Sequence, residues 1–262
     1  MNKLKDGLNK CSNLDYHADT EYISSSNYKT LLTDVGKFHK EKILGIREEQ
    51  EEKSYFVEGS YVHSLILEPE LLDEEYAIFP GKRKAGKEYE DFKEKHSDKQ
   101  ILSIVQKERC ERFLEAYKGL EARLNLIQRG ESEHTVCGTL NGIKTKVRCD
   151  YININESYIV DVKTSSMPVD QESFKETVEK YKYDLSATLY LNMVEQYYGK
   201  SFDFYFACID KKNLTCELFK LSKESRAKGQ SYINKAVLIY KKCLSTDNWN
   251  GNINIEYDIL EV

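Results

Sequence analysis

The chain has 262 residues, with 39 Lys and Arg against 44 Asp and Glu for a net charge of −5, and it carries 19 Tyr and 10 Phe in a 40% hydrophobic composition. That is too apolar and aromatic for a disordered chain, while 32% charged residues and the lack of any long apolar run exclude bilayer-spanning helices. Thirteen Gly and three Pro exclude collagen-like and linker-rich architectures.

The opening segment, MNKLKDGLNKCSNLDYHAD, has no apolar stretch behind its basic residues, so no secretory leader is expected and the predicted location is cytoplasmic. Ser24, Ser25 and Ser26 offer N-caps for a short helix through Leu31 and Leu32, and a charged stretch from Glu41 to Lys53 follows. A second helix is predicted from Glu58 to Glu68, stopped by Pro69. Lys82 to Lys87 (KRKAGK) reads as a basic loop. From Tyr89 to Gln128 a 3.6-residue apolar pattern through Ile101, Val105, Phe113, Leu120, Leu124 and Ile127 predicts one long helix or a broken pair.

Near Gly130 the period changes to two. Glu133–Cys137, Ile143–Ile152 and Tyr158–Thr164 are β-rich runs separated by the turn-formers Asn141-Gly142 and Asn153–Ser157, which predicts an antiparallel meander. A helical region from Asp170 to Gly199, interrupted near Tyr181, leads to strands Phe202–Ile209 and Thr215–Leu221 and a closing amphipathic helix, Lys223–Leu244. The expected fold class is α+β, one central sheet flanked by helices after a helical lead-in. One domain is expected over 1–262, divided into lead-in (1–129), core (130–245) and tail (246–262).

Side chains alternate along a strand, so Asp161 and Lys163 share one face and Val160 and Val162 the other. On the preceding strand Lys144, Lys146, Arg148 and Asp150 share a face opposite Ile143, Thr145, Val147 and Cys149. In a register that sets Asp150 beside Asp161, two carboxylates at ~4 Å would repel by about 4 kcal/mol at an effective dielectric of 20, so both stay ionised only around a cation. Oxygen ligation favours Mg²⁺ or Mn²⁺ over zinc, and the chemistry on offer is metal-assisted phosphodiester hydrolysis with Lys163 orienting water or stabilising developing charge. Taken alone, most Asp-x-Lys triplets are solvated faces or surface ion pairs.

Asp150 followed by Asp161-x-Lys163 on adjacent strands, after a long helical lead-in, resembles the signature of PD-(D/E)XK nucleases. Several segments are specifically similar to the nuclease domain of exonuclease VIII (RecE) and its phage relatives: Tyr16–Asp19, Ile23–Lys29, Glu58–Pro69 with its G-x-x-x-H-x-x-x-L-E-P pattern, Gly81–Lys87, Tyr183–Tyr190 and Cys243–Gly251. They cover nearly the whole chain in the family's order. The resemblance implies a restriction-endonuclease-like sheet and a metal held by His63, Asp150, Asp161 and the Val162 carbonyl. Read from its own surroundings, a helical histidine flanked by Val62, Leu65 and Ile66 is more often a satisfied core or boundary residue than a ligand, and Gly59 one turn earlier lets another backbone or a metal site approach closely. Glu133 falls where related enzymes place an additional acid; a solvated strand residue is the other reading.

The resemblance further implies that Lys82, Arg83, Lys84 and Lys87 lie near the duplex entrance; Lys144, Lys146 and Arg148 are other phosphate candidates because they share a face with Asp150. Ser186 and Tyr190 stand where relatives carry Gln-x-x-x-Tyr facing DNA, so the glutamine's reach is missing. Seven cysteines without a CxxC pair fit reduced thiols, and no iron–sulfur cluster is expected. The expected activity is 5′→3′ double-strand DNA exonuclease action with Mg²⁺, supplying 3′ single strands to a RecT-like annealing protein, in a homo-oligomer that closes as a toroid. Rival expectations are a structure-specific endonuclease, a single-strand exonuclease, and a catalytically impaired DNA- or partner-binding module.

Overall fold

The computed structural model describes residues 3–46, 54–124 and 130–250. In chain order its main elements are β1 (Gly7–Asn9), α1 (Asn13–Ala18), α2 (Ser25–Thr33), α3 (Ser54–Leu67), β2 (Tyr76–Phe79), α4 (Lys87–Lys95), β3 (Gln100–Ser103), α5 (Ile104–Leu124), β4 (Glu131–Leu140), β5 (Ile143–Asn153), β6 (Tyr158–Ser165), α6 (Gln171–Tyr181), α7 (Tyr183–Tyr198), β7 (Asp203–Asp210), β8 (Thr215–Lys220) and α8 (Lys223–Thr246). The expected α+β class holds: a six-stranded sheet in the order β1-β4-β5-β6-β7-β8, antiparallel except for the parallel β6–β7 pair, stands between helical layers. No helix among the described residues is long and apolar enough to cross a membrane.

Two-faced burial explains the strands. Ile159, Phe204, Phe206 and Cys208 turn into one core shared with α2, α7 and α8, while Val160, Val162, Ala207 and Ile209 turn into a second core shared with α3 and α5. A strand covered on both faces reads as a continuous apolar run, as VDVK and FYFACI nearly do. The first core is closed by α8 lying directly on α7: a Cβ on Gly229 would come within 2.3 Å of the Asp184 carbonyl and of the Thr188 hydroxyl, so only glycine permits that approach. On the same side the α2 segment is stitched to β5 by Ile23 N–H to the Lys144 carbonyl at 2.9 Å and by the buried Tyr28 hydroxyl against Thr145 Oγ1 at 2.9 Å.

The apolar pattern beginning at Tyr89 resolves into a broken pair, α4 and α5, with a short strand between them. Ser103 starts α5 with reciprocal capping: the Gln106 side chain accepts the Ser103 N–H at 3.0 Å, and Ser103 Oγ accepts the Gln106 N–H at 3.3 Å. Residues 125–129 of that pattern, 47–53 of the charged stretch and 251–262 of the tail lie outside the described residues. The helix interruption near Tyr181 is a single left-handed residue, Lys182, at φ 49°. Strands β1, β2 and β3, of three or four residues each, are additions to the elements expected from the sequence.

Candidate metal centre

Strand β6 is paired with β7 along its whole length, Tyr158↔Asp203 to Ser165↔Asp210, but with β5 only from Asn153↔Tyr158 to Tyr151↔Val160. The next pair in register would be Asp150 and Asp161. There the main chains part, and Asp150 Oδ2 instead accepts the Val162 N–H at 2.7 Å. The β4–β5 ladder skips the same level: Ser132↔Tyr151 and His134↔Cys149 are paired, and between them Glu133 stands opposite Asp150 at φ 51°. A left-handed backbone at a non-glycine residue costs on the order of 1–3 kcal/mol and collects at functional sites. Core membership confirms the local break, since Val147, Cys149 and Ile152 belong to one core and Tyr151 to the other. Glu133, Asp150 and Asp161 therefore come from three neighbouring strands at one level.

The fourth group arrives from the N-terminal layer. His63 on α3 places Nδ1 3.4 Å from Asp150 Oδ2. Helix α3 is fixed five residues earlier by the buried Glu58, which accepts from Gln106 Nε2 at 2.9 Å and pairs with Arg109 of α5. Of the two neighbours expected at Gly59, no backbone approaches it: a Cβ there would meet nothing within 4 Å, and the residue lines the cleft that His63, Glu133 and Asp150 line. His63, Glu133 and Asp150 bring one ligand atom each within 4.8 Å of one another. Asp161 stands beside them, its Oδ2 against Lys163 Nζ, which also donates to the Val162 carbonyl at 3.3 Å.

The electrostatics leave a deficit of positive charge. Burial, reinforced by Asp150, pushes the Glu133 carboxyl up to about 8, against the lowering pull of Arg148. Burial raises Asp161 as well, with Lys163 opposing and Asp150 adding to the shift. For Lys163 burial works against the charge, yet Asp161 and Asp150 outweigh it and hold the ammonium above the ordinary lysine range. Buried carboxylates that their own cations do not satisfy, with one imidazole among the oxygens, suit a hard divalent cation.

His63, Glu133, Asp150 and Lys163 line a cleft of about 890 Å³ whose walls also carry Asn13, His17, Glu68, Arg148, Tyr183, Tyr190 and Lys211, with exposed Phe56, Met167 and Tyr181 on it; Asp161, 5% exposed, is not part of its walls. Of the expected DNA contacts, Tyr190 lines the cleft and packs edge-on against Phe204, whereas Ser186 does not line it. Arg148 lines it with a guanidinium already committed to Glu133, Glu68 and Asn13. Lys82, Arg83, Lys84 and Lys87 lie outside the cleft walls, and Lys84 donates to the Ile101 carbonyl at 3.0 Å. Lys146 is buried on the Tyr16 and Asp19 carbonyls and the Asp19 carboxylate, and Lys144 pairs with Glu21, so neither faces the cleft as a free phosphate contact. Sequence reasoning gave no role to Glu68, Asn13 or Lys211. For Glu68 a signal existed: the residue before proline is pushed out of helical conformation, and Glu68 leaves α3 at φ −142°, ψ 56° with its carboxylate toward Arg148.

A mixed sheet flanked by helices, with Asp150 on one strand and Asp161-x-Lys163 on the next meeting where their ladder opens, defines the PD-(D/E)XK class of protein. The family model described as a PDDEXK-like domain of unknown function (DUF3799) matches residues 24–257, and the chain belongs to that family. Among solved structures, a candidate exonuclease from Eubacterium rectale is 18% identical with a TM-score of 0.63, covering 89% of this chain and 87% of its own. That likeness bears on the fold. A phage-related exonuclease from Haemophilus somnus 129PT is 14% identical with a TM-score of 0.36, covering 87% of this chain and 96% of its own. No curated protein matches the chain significantly.

Proposed function

We propose that this protein is a Mg²⁺-dependent deoxyribonuclease acting as a 5′→3′ exonuclease on double-stranded DNA ends. The carrying observation is the level of β5 and β6 where the ladder opens: His63, Glu133, Asp150 and Lys163 line one cleft from four elements, and the buried Asp161 is paired to Lys163 beside them. His63, Glu133 and Asp150 would hold the ion, with Asp161 and the Val162 carbonyl adjacent. A divalent ion bound there would lower the pKa of a bound water and draw charge from a phosphate oxygen. Lys163, kept charged by Asp161, offers an N–H donor to the charge developing on phosphorus, in surroundings where such a donor is worth more than in water. Phe56, Met167 and Tyr181 present exposed apolar faces on which bases can stack. Lys211 in the cleft wall and Lys82, Arg83, Lys84 and Lys87 farther out would meet backbone phosphates. The product, a 3′ single strand, would pass to a RecT-like annealing protein in the cytoplasm, and a ring of identical subunits would keep the enzyme on its duplex.

The test is digestion of linear duplex DNA, labelled separately at its 5′ and 3′ ends, with Mg²⁺, a closed circular control and the Asp161→Ala variant. Early release of 5′ label with the circle intact, and none from the variant, is expected. Early 3′ label reverses the polarity, cutting of the circle makes the enzyme an endonuclease, and intact DNA throughout overturns the nuclease reading.

A further inference from the structure

The charged side chains tied to Arg148, Asp150 and Lys163 can be counted as charges. Glu68, Glu133, Asp150 and Asp161 are the carboxylates of the cluster, and Lys163 and Arg148 are its permanent cations. The two cations divide the cluster in space. Lys163 belongs to Asp161, while Arg148 holds Glu133 through Nε and reaches Glu68 Oε2 at 3.5 Å through its other end.

The setting of Arg148 is unusually complete for a cation on a cleft wall. Its side chain is 9% exposed. One terminal nitrogen donates to Asn13 Oδ1 at 3.1 Å, and the guanidinium carbon lies 5.9 Å from the centre of the Tyr16 ring. Asn13 and Tyr16 come from α1, Glu68 from the end of α3, and Glu133 from the left-handed residue in β4. A planar fork with fixed donors suits such a fourfold enclosure, where a lysine could satisfy one partner at a time. Buried charges are retained only when paired, and with Glu133 ionised, as a bound cation would hold it, two carboxylates and one guanidinium neutralise each other except for a single negative charge. The opposite half, Asp150 and Asp161 with Lys163, also carries one.

We propose that Arg148 is a resident counter-cation that fills the position of a second metal ion, so that the cleft binds one divalent ion per chain, on the His63–Asp150 side. The remaining charge of two then matches one such ion, and Arg148 acts as a positioning residue by pairing with Glu133 Oε2. This rests on the metal-dependent reading above.

Equilibrium dialysis of the purified full chain against Mn²⁺, with bound manganese counted per chain, tests it without reference to activity. The wild type is expected to bind one ion, and Arg148→Met, which frees Glu133 and Glu68, is expected to bind two, returning to one in Arg148→Met with Glu68→Gln. Arg148→Lys, which keeps the charge, should stay at one. Two ions in the wild type overturn the proposal whether or not any variant folds, as does a folded Arg148→Met chain that binds only one. Binding that Asp150→Asn leaves untouched, or no binding at all, overturns the metal reading itself and the proposal with it, an outcome distinct from a wrong count.

Discussion

The two edges of strand β6 are treated oppositely. Toward β7 it is hydrogen-bonded over its full length, with the side chains on both faces packed into cores; toward β5 its pairing stops at Val160, and a carboxylate takes the place of the next main-chain acceptor. The first edge fixes where Asp161 and Lys163 stand. The second leaves a gap in which acidic groups from β4, β5 and β6 meet a histidine from α3. A site of this kind needs both: a carboxylate cluster that repels itself would relax apart unless the strand carrying it were held rigidly from behind.

The sharpest way to break the comparison is on the open edge. Asp150→Asn keeps a carbonyl oxygen for the Val162 N–H but removes charge from the cluster, so folding should be preserved while nuclease turnover with Mg²⁺ falls by more than the roughly 100-fold that outer-shell changes can cost. Circular dichroism beside a turnover assay checks it; a variant as active as the wild type would remove Asp150 from the mechanism. The closed edge should answer in the other currency. Phe206, buried at 3% exposure on β7 among the rings of Phe174, Tyr183 and Phe204, should cost about 3–5 kcal/mol on truncation to Ala in urea unfolding. A loss below about 1 kcal/mol would mean that the β6–β7 edge is not the rigid support described.

A smaller lever tests the stitch between α2 and β5. Tyr28→Phe deletes one hydroxyl and leaves Thr145 Oγ1 still donating to the Ile143 carbonyl, so the expected cost is about 1 kcal/mol, read from the unfolding midpoint. Because that stitch lies well down β5 from Asp150, metal binding by the folded variant should be unchanged.

Much of this was legible in the sequence because strands and their turns write themselves locally. The meander, the alternation that separates Asp161 from Val160 and Val162, and the break near Tyr181 all depend on neighbours within a few residues. What stayed hidden depends on partners far along the chain. Arg148 shares a face with Asp150 in an ideal strand and so looked like a phosphate contact, yet Asn13 and Glu68, which enclose it, are 135 and 80 residues away in sequence. The break in β5 was invisible for a related reason. It is a matched distortion of two strands, Glu133 turning left-handed opposite Asp150, which preserves the register on both sides and leaves no mark in the apolar pattern. Strands of three or four residues, such as β1 to β3, are shorter than the window in which a period of two can be recognised.

A pH-dependent effect is predicted where the packed layer meets the cleft. Lys29 on α2 lies 5.4 Å from the centre of the Tyr183 ring, and Lys163 lies 5.5 Å from the same ring, so two ammonium groups share one aromatic neighbour. Burial, with the charge of Lys163 adding to it, brings Lys29 down to about 8 from its ordinary 10.5. A base whose folded value is depressed destabilises the folded state wherever it must be held charged there. That cost is fully present below pH 8, fades as the pH rises from 8 to 10.5, and is gone once the unfolded chain has also lost the proton. Lys29→Met should therefore be more stable than the wild type at pH 7, with the advantage shrinking across that interval, as measured by urea midpoints at a series of pH values. An advantage that stays constant from pH 7 to 11 would trace it to packing of the methionine instead, and would separate Lys29 from the electrostatics of the open edge.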